Sequence, residues 1–93
     1  MPWVYNILSN EFFNDSISLA VLAKHWYKKH NIKSRIIYLY DDKVTKGHCI
    51  CITCDNSQFT SNDEVINIKP MYWINDVTKH FNYKYTLMFE KGE

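Results

Sequence analysis

Apolar and polar positions alternate with readable periods along most of the chain. In NDSISLAVLAKHWYKKHN, Leu19, Leu22, Ala23 and Trp26 recur at helical spacing, with Lys24 and Lys28 on the other side. Asn14 or Asp15 can accept hydrogen bonds from the free amides of a first turn. Lys28, Lys29 and His30 suit the negative end of a helix dipole, and Asn31 can take the left-handed cap conformation. These signals predict a helix near residues 15–30. KPMYWINDVTKHFN predicts a second helix, with Trp73, Val77 and Phe81 on one face. YKYTLMFE alternates, placing Tyr83, Tyr85, Leu87 and Phe89 on one side of a half-buried strand.

Between the helices, KSRIIYLY is β-branched and aromatic and ends at the polar DDKVTKG. It predicts a strand, a loop, and a second strand over GHCICITC. CDNSQ predicts a tight turn, and a short third strand follows through FTSNDEV. At the start, Pro2 suits the first turn of a short helix with Trp3, Ile7 and Leu8 as its apolar side. The order is helix, helix, three strands, helix, strand. Short loops between the middle strands favour an α+β fold, with N-terminal helices packed on a small, mostly antiparallel β-sheet.

Composition narrows the class. The 93 residues are 46% hydrophobic and 16% aromatic, with only 2 Gly and 2 Pro, as expected of a single domain over residues 1–93 with its own core. No uninterrupted apolar run could span a membrane, and MPWVYNILSN lacks the basic region of a signal peptide. Three clustered cysteines do not make a secreted disulfide framework, so the expected compartment is the cytoplasm. A formal charge of +1 gives no general pull on nucleic acid, which is not an expected partner. Lys24, Lys28, Lys29, Lys33 and Arg35 form a local basic cluster, read as a solvated helix face before a phosphate-contacting patch. Richness in Asn, Ile, Lys and Tyr is compatible with an AT-rich bacterial or phage genome.

The candidate chemistry centres on KGHCICITC, where His48 neighbours Cys49, Cys51 and Cys54. A structural zinc site draws four ligands, usually from two separated pairs, and no second pair exists. In a regular strand His48 points away from Cys49 and Cys51. Neither a metal nor a cofactor is expected, and the cysteines read as small buried packing groups.

Three segments together resemble the core of the transglutaminase-like (papain-like) cysteine protease and acyltransferase superfamily. S-I-S-L-A at residues 16–20 is similar to the motif that opens its core helix, and N-I-K-S-R-I-I at residues 31–37 to the segment after that helix. Gly47 and His48 match the start of its histidine motif; Phe59 stands at a Trp position and Asp63 at the Asp position. The resemblance covers residues 14–63. It implies a triad of nucleophile, base and orienter at Ser16, His48 and Asp63, with Ser16 in place of the family's cysteine. A serine there lacks the thiolate that a helix N-terminus favours, so the site would be inactive as it stands, whether by replacement or by natural loss. Asn62 is the alternative orienter. Trp3 is a candidate oxyanion donor through its indole N–H.

Two main functions follow from these expectations. One is thiol acyl transfer on a peptide or protein amide: hydrolysis, deamidation or transamidation. The other is a non-catalytic binding module of the same fold, a phage-type protein holding a small-molecule ligand or a partner protein. A homodimer is expected with the second, since so small a domain makes a shallow pocket alone. A plain structural domain with an accidental motif match is the third reading.

Overall fold

The computed structural model describes residues 16–41, 43 and 46–90. The short helix expected around Pro2, the caps at Asn14 and Asp15, and Trp3 lie outside the described residues. Helix α1 runs Ser16–Lys29, followed by β1 (Ser34–Tyr40), β2 (Gly47–Thr53), β3 (Gln58–Ser61) and β4 (Glu64–Asn67). A 3-10 turn at Pro70–Tyr72 leads into α2 (Trp73–His80), and β5 (Leu87–Glu90) closes the order. The strands form one antiparallel sheet in the order β4-β3-β2-β1-β5. This is the expected α+β class, and among the described residues one helix packs on each side of the sheet.

Strand alternation divides the core into two halves. Ile36, Tyr38, Cys49 and Cys51 point towards α1 and pack with Ala20 and Tyr27. Ile37, Leu39, Ile50, Ile52 and Phe59 point the other way and pack with Val77 of α2, with Trp73 and Phe81 beside it. The predicted face of α2 is therefore the one it buries.

Helix α1 ends as its sequence predicts. Asn31 has φ 61°, the Ile32 amide donates to Tyr27 O at 2.9 Å, and the Asn31 amide to Lys28 O at 3.0 Å. This Schellman pair satisfies carbonyls that the helix end would leave open. Helix α2 ends the same way at Asn82, with Tyr83 N–H donating to Thr78 O and Asn82 N–H to Lys79 O, both at 2.9 Å. CDNSQ is the expected turn. Asn56 is left-handed, and the Asp55 carboxylate accepts from the Ser57 amide at 3.0 Å and the Thr53 hydroxyl at 2.7 Å.

Three expectations are corrected. First, α1 does not bury Leu22 and Trp26, which are 63% and 53% exposed; it buries Ser16, Ala20 and Tyr27. Small Ala20 lets the helix approach the sheet. Fully buried Tyr27 then shares a 2.8 Å hydrogen bond with Thr60 Oγ1 and accepts a 3.0 Å bond from Gln58 Nε2. The buried phenol has its polar end satisfied, which Trp26 in the same place would not have matched. Second, FTSNDEV is not one strand but two, joined by a turn at Asn62 and Asp63 in which Asn62 is left-handed, with Ser61 paired to Glu64. Third, the last strand begins only at Leu87. Tyr83 sits at φ 60° beyond the α2 cap, and Tyr85 joins the α2 side while Phe89 stacks on Tyr38 on the α1 side.

Candidate functional site

Strand β2 opens at Gly47, and its second residue is His48. Strand β3 pairs with β2 at Cys51↔Thr60 and Ile52↔Phe59, and the register does not continue to Cys49. The outer edge of β2 is therefore open near its start, and side chains fill the gap. The Cys49 amide donates to Ser16 Oγ at 3.0 Å, so the first residue of α1 takes the place of a strand partner. Ser16 is 5% exposed.

His48 lies on the side of Ile50 and Ile52. Its ring meets Phe81 edge-on at 5.3 Å and lies parallel to Tyr85 at 6.2 Å. Its Nε2 shares a 2.8 Å hydrogen bond with Ser61 Oγ. Burial among these rings lowers the imidazole pKa below its ordinary value, and the Lys84 ammonium lowers it further. Both effects favour the neutral ring.

The residues of the expected triad are thus distributed rather than joined. Ser16 belongs to α1, on the Cys49 side, and its oxygen faces a backbone amide. The His48 side chain lies on the opposite side of β2 and binds Ser61. Asp63 is exposed in the β3–β4 turn, and no hydrogen bond links it to His48; the same holds for Asn62. The physical reason is the turn itself. Had FTSNDEV stayed extended, Asp63 would have followed Ser61 on the same side, but the chain reverses at Asn62 and carries the carboxylate into solvent. Ser61 is the partner that the sequence reading passed over. Its signal was its position two residues after Phe59, on the shared side of a strand.

A neutral imidazole bonded to a serine hydroxyl is the arrangement that activates a nucleophile. Here Ser61 is only 9% exposed and aromatic rings cover the histidine, so an acyl group has little access to the oxygen. The cysteines divide. Cys49 and Cys51 are packing groups as expected, and burial pushes the Cys51 thiol up, away from the thiolate. Cys54 is exposed, contrary to the expectation for all three, because β2 ends at Thr53 and Cys54 enters the turn. Among the described residues no group of three or more His, Cys, Asp or Glu side chains could hold a metal.

The outward turn of α1 creates a second feature. Leu19, Leu22 and Trp26 stand beside Thr60 and Val65 of the β3–β4 hairpin, and together they line a groove of about 470 Å³. Val65 is itself 56% exposed. His25 and Lys29 border the groove, and among the described residues no carboxylate lines it. Comparison with family models, curated proteins and solved structures finds no match to this chain.

Proposed function

We propose that this domain acts by binding a partner protein, and that the outer flank of α1 is its contact surface. One observation carries the reading. A helix that could have buried Leu22 and Trp26 instead presents both to solvent, over a hairpin that adds Val65. Exposed large side chains gathered at one place mark interaction sites more often than scattered ones do. Trp is also the residue type most enriched among binding hot spots. The bordering groups are His25 and Lys29, so the partner that fits is an amphipathic segment with apolar side chains flanked by carboxylates. A second copy of the chain would set the Lys29 ammonium against its own counterpart.

Acyl transfer at Ser16 is the weaker reading on the same geometry. It needs a hydroxyl facing the imidazole, whereas Ser16 Oγ accepts from the Cys49 amide and His48 is held by Ser61.

The test uses designed helical peptides with one apolar face, flanked either by Glu or by Lys. Trp26 fluorescence, corrected with a Trp26→Phe protein, should respond to the acidic peptide and weaken with salt. Leu22→Asp should abolish the response. Equal binding of both peptides would overturn the reading. So would a homodimer that Leu22→Asp dissolves while neither peptide binds.

A further inference from the structure

The opposite flank of α1 has a different character. Lys24 and Lys28 are one helical turn apart there, and Lys33 joins them from the connection to β1. With Asn31, Ser34 and Cys54 they line a pocket of about 500 Å³, and Ile32 supplies an apolar wall. Among the described residues no carboxylate lines this pocket. Like charges four residues apart on a helix oppose its stability. Among the described residues neither Lys28 nor Lys33 has an acidic partner.

Two further details point to an anion. The Ser34 hydroxyl is buried and meets no oxygen or nitrogen partner. The Cys51 thiol beside it is a weak hydrogen-bonding group and gives it at most a weak contact. A buried hydroxyl left open in this way is uncommon and wants an explanation. The second detail concerns the helix end. A helix C-terminus ordinarily repels anions. Here Tyr27 O and Lys28 O are already taken by the amides of Ile32 and Asn31, so the local carbonyls are partly quenched.

We infer that this pocket binds a small phosphorylated ligand, with Lys28 and Lys33 pairing the phosphate oxygens and Ser34 as an inner donor. The small size follows from the distribution of charge. The cations converge on one concavity and do not continue as a track. The nearest arginine, Arg35, is turned to the other side of the sheet, where its guanidinium lies 5.0 Å over the Trp73 ring and its Nε pairs with Glu90 at 3.3 Å. An extended nucleic-acid backbone would find no second contact there. This site is independent of the apolar groove, and neither needs the other.

Pyrophosphate, titrated at low salt into isotope-labelled full-length protein, is the probe. Saturable amide shifts confined to residues 31–34 and Cys54 are expected, with affinity falling as salt rises. Lys28→Glu should weaken binding about tenfold or more, as expected for reversing one close charge. Lys29→Glu makes the same change in net charge one residue away, on the groove side, and should leave binding nearly unchanged. Ser34→Ala should weaken it a few-fold without altering the fold's spectrum. Equal loss in the Lys28 and Lys29 variants would overturn the site, because it would show only diffuse attraction. Unsaturable shifts spread over every lysine would do the same, as would tighter binding of a single-stranded oligonucleotide than of pyrophosphate.

Discussion

The two sides of the sheet are built from different materials. Towards α1 the layer mixes sizes: Ala20 and two thiols beside Ile36 and two tyrosine rings, Tyr38 and Tyr27, and the Tyr27 hydroxyl is tied to β3. Towards α2 it is thick with Ile37, Leu39, Ile50, Ile52 and Phe59, and an aromatic group around His48 closes one end. The first side holds its helix close through small residues and directed hydrogen bonds. The second holds its helix through bulk, with Val77 as the only fully buried contribution from α2. Specific polar placement therefore belongs to the α1 side, and apolar area to the α2 side.

The sharpest way to break this contrast is to remove bulk. Phe59→Ala empties a fully buried position and should cost about 3–5 kcal/mol in chemical denaturation, enough to unfold much of a marginal domain. On the other side, Tyr27→Phe keeps the ring and removes only the hydroxyl that meets Thr60 and Gln58. A loss of about 1–3 kcal/mol is expected from the partners left open. If it cost as much as Phe59→Ala, the division between bulk and direction would fail.

Acid should act on the α2 side first. The folded-state pKa of His48 is depressed, so the unfolded chain takes up its proton more readily. Stability is then complete above the ordinary histidine pKa of about 6.5 and is lost as pH falls from there towards the lower folded value. His48→Gln should flatten this slope in denaturation curves measured between neutral and mildly acidic pH. An unchanged slope would place the acid sensitivity elsewhere. The smallest effect concerns reactivity. In a Ser16→Cys protein, iodoacetamide should label the new thiol more slowly than exposed Cys54, since position 16 is buried and sits away from the imidazole. A hyperreactive thiol at position 16 would restore the acyl-transfer reading.

Much of the framework was legible in the sequence because the central strands leave little choice. SRIIYLY and GHCICIT are buried on both sides, so alternation assigns each residue to a layer, and the two thiols and the histidine separate as that period requires. Asn31 announced its helix end, since few other residues accept a positive φ. The rotation of α1 was not legible. Apolar side chains occupy two neighbouring stripes, one through Ala20 and Tyr27 and one through Leu22 and Trp26. Hydrophobicity favours the second, while close approach and a partner for the phenol favour the first. The candidate site was half legible for a related reason. His48 at a strand start stood out. Its partner depended on whether the chain reverses at Asn62, a local backbone event that decides between Ser61 and Asp63 and leaves only a weak mark in FTSND.

The strand order carries a consequence for how the chain reaches this state. From α1 to β4, each element packs on or pairs with one close to it in sequence, so these contacts close through short loops. Strand β5 is the exception: it pairs with β1, laid down half a chain earlier. Its closure carries the larger entropy of a long loop. On that account β5 should be the last strand to dock and the first to open, and its amides should exchange with solvent through partial openings that leave the other four strands paired.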